Sequence, residues 1–338
     1  MPLTQTLRRP RMIPEPPFND SETLARDPDC ALAEQLERFV RAAGGAFSMS
    51  TERALRSDLA IYAEWCAERG ERALPAEPGT VAAFVDDRAE VRAPATVRRY
   101  VTSIGIAHRA LGLERTVTDP AVGLALKRMH RRKGRRQDQA TGLTWPLRQR
   151  LLEATGDRLI DHRNRALLAV AYDALLRRTE LVSLQAADLL EEMQGDGSLL
   201  VRRSKTDAEG KGETVWLAPD TVRLVHAWLG RAAIREGLLF RSVRKGGRVG
   251  ERLNSGQVPR IFKAMAREAG LPETVEAGLS GHSARVGATQ DMIAAGIGMP
   301  AILHAGRWKS AVMVNRYGEQ LLARRSGAAQ LARKQKRA

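Results

Sequence analysis

Seven side chains in the second half of the chain have the chemistry needed to exchange one phosphate ester for another. A phosphodiester under attack by a hydroxyl gains negative charge on its non-bridging oxygens. Two guanidiniums, Arg177 and Arg285, can neutralise that charge and hold the phosphorus in line with the nucleophile. Tyr317 offers a phenolic oxygen, whose reference pKa of ~10 makes it a weak nucleophile until a base takes its proton. The full set is Arg177, Glu180, Lys205, His282, Arg285, Trp308 and Tyr317.

Other members of the set can serve the same reaction. His282 can accept the phenolic proton or hydrogen-bond the phosphate. The departing sugar oxygen needs a proton, which Lys205 on a flexible loop can donate. Glu180 follows Arg177 by three residues on one helix face, so its carboxylate can fix that guanidinium or its neighbours.

Residue type and spacing alone do not single out these positions. The pattern H-x-x-R begins at His162, His282 and His304, in a chain that is rich in Arg. Lys205 could equally be a charge at a hairpin tip, and Tyr317 could be core packing. The set therefore needs support from the rest of the sequence.

The elements around the set are predicted to be mainly helical. Thr144-Trp145-Pro146 reads as a cap and a helix start. Predicted helices lie near 145–155, 161–174 and 178–184. Strand-like runs at 198–203 and 213–217 flank a polar, glycine-containing loop, as in a hairpin with a long tip, and helical patterns resume from Pro219. One small antiparallel sheet is therefore expected in a helical surrounding.

The first half of the chain predicts a group of helices. One apolar helix face comprises Leu55, Leu59, Tyr62 and Cys66, with Gly70 as a stop. A second helix runs between Pro94 and Gly112. Its apolar face comprises Val97, Val101, Ile104, His108 and Leu111. A third begins at Asp119-Pro120, because Asp is a good N-cap and Pro suits the first helical position.

The third helix ends in what we call the basic stretch, where seven of ten residues from 127 to 136 are cationic. Its cations are Lys127, Arg128, Arg131, Arg132, Lys133, Arg135 and Arg136. A solvated helix end is one interpretation, because cations favour the C-terminal end of a helix dipole. Because so many cations repel one another unless a polyanion neutralises them, we favour a DNA-contacting hinge.

These patterns divide the chain into four segments. Residues 1–27 are a Pro-rich basic arm that is expected to be flexible. Residues 28–133 form a helical domain, 134–142 a linker without apolar pattern, and 143–338 a mixed α/β domain. The predicted fold class is mainly α, with two domains joined by this linker and one small antiparallel sheet in the second domain.

The charge of the chain indicates a polyanionic partner. Lys and Arg total 55 against 39 acidic residues, which gives a net charge of +16 and a pI near 10.7. Only nine of the cations are Lys, and Arg offers a planar fork that matches phosphate oxygens. A GC-rich genome could explain the Arg/Lys ratio but not the excess of positive charge.

Other classes of protein are disfavoured. No run approaches the ~18 apolar residues of a membrane span, and the first residues lack the apolar core of a signal peptide. The two cysteines, Cys30 and Cys66, form no C-x-x-C, and no Cys/His cluster has zinc spacing. A cytoplasmic, reduced protein without a metal or cofactor is expected.

Longer segments carry a family resemblance. The most specific are S-G-H-S-A-R-V-G-A at 280–288 and A-G-R-W at 305–308, with Tyr317 nine residues after the tryptophan. L-L-R-R-T-E-L at 175–181 is a third. Weaker matches are R-S-K-T at 203–206 and P-A-E-P at 75–78. Together they resemble the tyrosine recombinases, or λ-integrase family, over roughly residues 46–318. The resemblance implies that the first half is a core-binding domain, that the second is a catalytic domain, and that the two clamp duplex DNA between them.

The resemblance implies how the phosphate is held. Arg177 and Arg285 bind the scissile phosphate, and Glu180 supports the site. Trp308 hydrogen-bonds the phosphate through its indole N–H and packs the site. No ATP, metal or cofactor is implied, because a phosphotyrosine link stores the phosphodiester energy.

It also implies which groups move protons. Lys205 acts as general acid toward the 5′-oxygen, and His282 exchanges protons with Tyr317 and the phosphate. Tyr317 attacks and forms a 3′-phosphotyrosine link. Arg178 and Lys211 remain alternatives to Arg177 and Lys205, since each lies close to the assigned residue.

Two features depart from the family pattern or extend it. The family segment that resembles A-G-R-W at 305–308 has Gly at the position of Arg307. The Arg307 side chain is therefore either an added contact to the phosphate or a charge on the surface. A short apolar helix is predicted near the C-terminus. It comprises Leu321, Leu322, Ala328, Ala329 and Leu331, rimmed by Arg324, Arg325, Arg333 and Lys334. This helix is either a fraying basic terminus or, by analogy, a dock for the neighbouring subunit in a tetramer on DNA.

The function that the resemblance implies is site-specific recombination between paired inverted-repeat DNA sites. A type IB topoisomerase, which uses a similar residue set as a monomer, is one alternative. A telomere resolvase is another. A catalytically silent DNA-binding relative is a third, although the complete residue set disfavours it.

Overall fold

The computed structural model describes Glu37, Phe39, Arg41 and residues 47–136, 138–192, 194–202 and 212–337. These residues form two compact units that divide between residues 137 and 138, inside the predicted linker. Helices dominate both units and the second also holds a three-stranded antiparallel sheet, which confirms the predicted fold class. None of the described helices is long and apolar enough to cross a lipid bilayer. The predicted N-terminal arm, residues 1–27, lies outside the described residues.

Prolines and an aspartate set the helix starts in the N-terminal unit. Its helices are α1 (Met49–Ala67), α2 (Pro78–Val91), α3 (Pro94–Ala110) and α4 (Pro120–Lys133). The last three begin with Pro, whose fixed φ suits the first helical position. Asp119 caps α4, because its Oδ1 accepts the amide hydrogen of Ala121 at 2.7 Å. The apolar faces predicted for α1 and α3 are buried, apart from the partly buried Leu111.

Aromatic side chains fill the centre of this unit. The ring of Phe84 on α2 has the rings of Tyr62, Trp65 and Tyr100 at centroid distances of 4.9, 5.3 and 5.8 Å. These contacts join α1, α2 and α3, and their large apolar area accounts for much of the stability of the unit.

An ion pair between a buried carboxylate and a half-exposed guanidinium also joins α1 to α3. Asp58, whose side chain is fully buried, accepts hydrogen bonds from Arg99 Nη2 at 2.7 Å and Arg99 Nε at 2.9 Å. Ser103 Oγ donates a third at 2.9 Å. The carboxylate is therefore satisfied on both oxygens, as a buried charge requires.

The C-terminal unit begins with the three predicted helices. They are α5 (Trp145–Ala154), α6 (Leu159–Asp173) and α7 (Arg178–Ser183). The predicted start of α5 is confirmed, with Thr144 as the N-cap residue, although the Thr144 side chain makes no capping hydrogen bond. Asp291 Oδ2 instead accepts the amide hydrogen of Trp145 at 2.6 Å. This long-range contact fixes the start of α5.

The sheet contains the predicted hairpin and one further strand. Its strands are β1 (Leu189–Glu191), β2 (Gly197–Val201) and β3 (Glu213–Leu217), antiparallel in that order. Leu199 on β2 pairs with Val215 on β3, and both lie in the core. Strand β1 has three residues, too few to show an alternating pattern in the sequence. The predicted hairpin tip, residues 203–211, lies outside the described residues.

The rest of the unit is helical. Its helices are α8 (Pro219–Arg231), α9 (Gln257–Glu268), α10 (Glu273–Gly278), α11 (Ser283–Ala294), α12 (Met299–Gly306), α13 (Val312–Tyr317), α14 (Glu319–Ala323) and α15 (Gly327–Lys334). The core includes Leu167 and Leu168 of α6, Trp228 of α8 and Phe262 of α9, all fully buried. Helix α6 therefore forms the base against which the site-bearing segments pack.

The C-terminal segment differs from the single helix predicted. It forms two helices, α14 and α15, because Ser326 interrupts the helix and caps α15 through its side chain. Leu321 and Leu322 pack on the small apolar cluster around Ile293. Leu331 on α15 is 51% exposed. The apolar residues of the segment thus divide between an inward-packed helix and an exposed one.

Candidate active site

Arg177 and Glu180 form a closed pair at the start of α7. Arg177 Nη1 donates to Glu180 Oε1 at 2.7 Å, and the Arg177 backbone N–H donates to Glu180 Oε2 at 3.0 Å. Glu180 is only 4% exposed, whereas the Arg177 side chain is 20% exposed. Arg177 precedes the helix instead of lying on it, so the carboxylate holds both its backbone and its side chain.

Backbone carbonyl groups fix Arg285, the second guanidinium. Its Nη1 donates to the carbonyl oxygen of Leu175, and its Nη2 donates to that of Gly306 at 2.9 Å. Leu175 has a φ of 47°, in the left-handed region that residues other than Gly rarely adopt. The turn before Arg177 thus aims a carbonyl group at the other arginine, which ties the two arginine-bearing segments together.

The environment of Arg285 is strongly positive. Burial, followed by the positive charge of Arg177, lowers the pKa of Arg285 to about 10, while Tyr317 and Glu180 raise it. The guanidinium therefore remains protonated at neutral pH. A site that holds two close cations in this way is ready to receive an anion.

His282 precedes α11, three residues before Arg285. Its backbone N–H donates to Ser280 Oγ at 3.1 Å, and its side chain is exposed. Burial of part of the ring lowers the pKa of His282, and the charges of Arg285, Arg178 and Arg177 lower it further. The neutral imidazole is therefore favoured near pH 7, the form that can accept a proton.

Trp308 links the guanidinium of Arg285 to Tyr317. The Arg285 Cζ lies 4.7 Å from the centre of the Trp308 ring, and the rings of Trp308 and Tyr317 meet edge-on with centroids 6.0 Å apart. Two amide side chains, Gln139 and Gln290, donate to the Tyr317 backbone carbonyl oxygen at 3.2 and 3.1 Å. The partly exposed phenol thus lies beside the buried arginine at the end of α13.

The structure brings together six of the seven predicted site residues. They are Arg177, Glu180, His282, Arg285, Trp308 and Tyr317. Lys205 and its alternative Lys211 lie outside the described residues. The Arg178 side chain is exposed and makes no hydrogen bond to Glu180 among the described residues.

The other two H-x-x-R matches have different surroundings. His162 Nε2 lies 2.7 Å from Asp157 Oδ1, and Arg165 also faces Asp157. His304 is exposed on α12. The match at His282 places its arginine beside Arg177 and Tyr317, whereas the match at His304 contributes only its arginine, Arg307, which contacts Glu180. Sequence spacing could not make this distinction.

Arg307 lies at the site, whereas the sequence left open whether its side chain contacts the phosphate or is a surface charge. Its side chain is 4% exposed, so the surface-charge interpretation is wrong. Arg307 Nη2 donates to Glu180 Oε2 at 2.5 Å, and Nε lies 3.4 Å from Glu213 Oε2 at the start of β3. Burial lowers the pKa of Arg307, and Glu180 and Glu213 oppose that shift.

In the N-terminal unit, all seven cations of the basic stretch are exposed. Some are paired with groups of the same unit. Arg128 pairs with Asp86, Arg132 pairs with Glu90, and Lys133 donates to the backbone of residues 90 and 92. Within the described part of the chain, Lys127, Arg131 and Arg135 show no hydrogen bond or ion pair. These three keep their full charge for an external partner.

Comparison with known proteins identifies the chain. A model of the family described as "Phage integrase family" matches residues 148–323, just over half of the sequence. The chain belongs to the phage integrase family. This family member is 30% identical to the recombinase Cre of Escherichia phage P1 over 289 residues, which are 80% of this chain and 84% of the relative. It is also 30% identical to an integrase/recombinase XerD homolog of Selenomonas ruminantium over 282 residues, 80% of this chain and 82% of that one.

Solved structures of site-specific recombinases share the fold of this phage integrase family member. XerH recombinase bound to difH substrate has a TM-score of 0.59 at 14% identity, covering 90% of this chain and 89% of that one. A λ integrase dimer bound to a COC′ core site has a TM-score of 0.58 at 17% identity, covering 85% and 77%. The resemblance to tyrosine recombinases is confirmed, and the chain is a site-specific recombinase of the tyrosine class.

Proposed function

We propose that the chain cuts and rejoins duplex DNA at paired recognition sites through a covalent bond between Tyr317 and a 3′-phosphate. The contact series from Arg285 through Trp308 to Tyr317 carries the proposal. It places a phenol beside a buried guanidinium, and Arg177 adds a second positive charge. Such preorganised charge favours a transition state that concentrates negative charge on phosphate oxygens.

In the cleavage step, Tyr317 Oη forms a bond to phosphorus and the bond from phosphorus to the 5′-oxygen breaks. The phenolic proton passes to neutral His282, and the leaving 5′-oxygen takes a proton from Lys205. Arg177 and Arg285 neutralise the non-bridging oxygens throughout, and the indole N–H of Trp308 donates to one of them. The products are a 3′-phosphotyrosine and a free 5′-hydroxyl.

In the rejoining step, a 5′-hydroxyl from the partner strand attacks the phosphotyrosine and releases the phenol. His282 returns the proton to Tyr317, and Lys205 recovers one from the attacking hydroxyl. The number of phosphoester bonds is unchanged from start to finish. No nucleotide hydrolysis is required, because the energy of the broken bond is retained in the protein link.

Duplex DNA with inverted-repeat sites is the proposed partner, bound by four copies of the chain. The net charge of +16 and the unpaired cations of the basic stretch support an electrostatic contact with phosphates. A λ integrase tetramer bound to a Holliday junction shares the fold, with a TM-score of 0.56 at 18% identity. Helix α15, with Leu331 exposed, is the segment that docks on a neighbouring copy. The site of action is the cytoplasm, at the DNA.

A covalent-adduct assay tests the nucleophile. Wild type, Tyr317→Phe and the matched control Tyr172→Phe are incubated with a nicked duplex that carries the target site. Tyr172 is in the same unit, but its hydroxyl donates to Asp291 at 2.6 Å. We expect a 3′-linked adduct with wild type and Tyr172→Phe only.

Each alternative predicts a different outcome. An adduct with Tyr317→Phe would overturn the nucleophile assignment. Tight binding by wild type without any adduct would favour the silent DNA-binding relative. Relaxation of supercoiled plasmid by a monomer, without exchange between sites, would favour the topoisomerase, and hairpin ends would favour the telomere resolvase.

A second assay tests the general acid. Lys205→Ala should cleave normal DNA slowly, because the 5′-oxygen is a poor leaving group without a proton. A substrate with sulfur in place of that oxygen, which leaves as a thiolate, should restore the rate. Lys211→Ala is the matched control and should cleave both substrates like wild type. Rescue of Lys211→Ala instead would move the role to Lys211.

A further inference from the structure

One buried carboxylate at the site lies between two guanidiniums. Glu180 Oε1 accepts from Arg177 Nη1 at 2.7 Å, and Glu180 Oε2 accepts from Arg307 Nη2 at 2.5 Å. Glu180 and Arg307 are each 4% exposed, so solvent does not screen their interaction. We call these three residues the arginine–glutamate triad.

The triad has a different charge from the pair that the sequence motif contains. Arg177 and Glu180 alone form a neutral unit, in which the carboxylate cancels most of the field that Arg177 presents to an anion. Arg307 adds a second cation to the same carboxylate. The three residues of the triad therefore sum to one net positive charge next to Arg285, and the half-exposed carboxylate of Glu213, 3.4 Å from Arg307 Nε, offsets only part of it.

The backbone at Arg307 indicates that this side chain has a specific use. Arg307 has a φ of 52°, in the left-handed region that favours glycine. The residue follows Gly306, whose carbonyl oxygen holds Arg285, and precedes Trp308. A strained backbone and a buried cation are both costly, and a residue without a role at the site gains nothing from either.

Two of the three guanidinium nitrogens of Arg307 make no hydrogen bond among the described residues. Its Nε lies 3.4 Å from Glu213 Oε2, which is too poorly aligned for a hydrogen bond. Among the described residues, Nε and Nη1 have no hydrogen-bond acceptor although both are buried. The main partner of the Arg307 guanidinium is therefore the carboxylate of Glu180, a residue of α7.

We infer that Arg307 is a positioning residue that shares the Glu180 carboxylate and thereby leaves the charge of Arg177 available to the scissile phosphate. The inference depends on the proposed transesterification. Arg307 acts through Glu180 and Arg177 and does not itself touch the DNA. Its contribution appears in the cleavage rate, when charge accumulates on the phosphate, and not in the affinity for uncut DNA.

A charge-balance experiment tests this inference. Single-turnover adduct formation on the nicked duplex is measured for wild type, Arg307→Met and the double variant Arg307→Met/Glu180→Gln. Met keeps an unbranched side chain and the backbone strain of Arg307 but removes its charge, so the rate should fall at least about tenfold. The double variant restores one net positive charge, because Gln bonds to Arg177 without cancelling it. We expect it to cleave at least about threefold faster than Arg307→Met.

Controls separate charge from folding. Arg307→Lys retains the charge and should recover part of the rate. Arg307→Gly fits the left-handed backbone, so it should remain folded and still cleave as slowly as Arg307→Met. Thermal melting of each variant, and its affinity for uncut DNA, are measured in parallel, and the affinity should stay within about twofold of wild type.

The outcomes distinguish the two claims. A double variant no faster than Arg307→Met overturns the inference, since a purely structural role predicts that two core substitutions do more harm than one. A rate for Arg307→Gly equal to that of wild type also overturns it. A loss of DNA affinity that accounts for the whole rate loss overturns it in favour of direct phosphate contact. No adduct with wild type overturns the proposed function and the inference together.

Discussion

Gly287→Ala tests how the packing of α11 positions the active site. Gly287 lies on α11, two residues after Arg285. A Cβ atom there would lie 2.0 Å from the carbonyl carbon and oxygen of Leu143 and 2.5 Å from the amide nitrogen of Thr144. Ordinary contacts between carbon atoms are ~3.5–4.0 Å. Because the obstacle is backbone, no side-chain rotation can relieve it, and one segment must move by about 1.5 Å.

The structure indicates how much this movement costs. It breaks the hydrogen bond from the Leu143 amide to the Ser283 carbonyl oxygen, 2.8 Å long, and loosens Leu143, which is fully buried. Overpacking a core costs about 1–3 kcal/mol, and we expect about 3 kcal/mol here because backbone cannot adapt. For a unit of this size that is a fall in Tm of roughly 6–12 °C.

Tryptophan fluorescence during heating measures the effect, because four of the five tryptophans are in the C-terminal unit. Below the melting range, adduct formation should also slow, since Arg285 moves with α11. Gly230→Ala on α8 is the matched control, because a Cβ there meets nothing within 4 Å. It should keep or raise the Tm, as Ala favours helix over Gly by about 1 kcal/mol. A Tm for Gly287→Ala within about 2 °C of wild type would refute the reasoning.

Three further predictions concern charge. Because partial burial and three neighbouring arginines favour neutral His282, adduct formation should hold down to pH 6.5 and fall only below it, a decline that His282→Gln should lack. A midpoint above pH 6.5 would contradict the lowered pKa. Substituting Ala for Lys127, Arg131 and Arg135 should reduce the salt dependence of DNA binding. The slope of log affinity against log salt concentration should fall in magnitude by about 0.9 for each phosphate that is no longer neutralised, and an unchanged slope would exclude these cations from the DNA interface. Asp58→Ala should destabilise the N-terminal unit by about 1–2 kcal/mol in urea unfolding, because the buried Ser103 hydroxyl loses its acceptor whereas water can solvate the half-exposed Arg99. A change under about 0.5 kcal/mol would contradict this.

Local signals in the sequence were enough to predict α1 and α3 to α7 individually, whereas α2 and α9 to α13 were covered only by a general helical pattern. Proline at the first position and Asp119 at the cap mark helix starts that depend only on neighbouring residues. The apolar spacing in α1 and α3 follows from burial of one helix face. The hairpin of β2 and β3 was also predicted, whereas β1 has too few residues to show a pattern.

The site was only partly predictable, because its contacts join distant parts of the chain. Family motifs indicated Arg177, His282 and Arg285, which the structure places together. The pairing of Arg307 with Glu180 links residues 127 positions apart, and no local spacing contains that information. The same limit applies at the start of α5, where Thr144 is the predicted cap but the remote Asp291 supplies the side-chain hydrogen bond to the Trp145 amide.

The hydrogen bond from Arg285 to Leu175 connects residues 110 positions apart, so an incomplete chain cannot form it. Arg177 has its local contact with Glu180, but Arg285 is not held in place until both halves of the catalytic unit have folded against each other. A nascent or proteolysed chain can still adhere to DNA through its positive charge. We expect such a chain to bind DNA without cleaving it, because Arg285 is not in position to neutralise the phosphate.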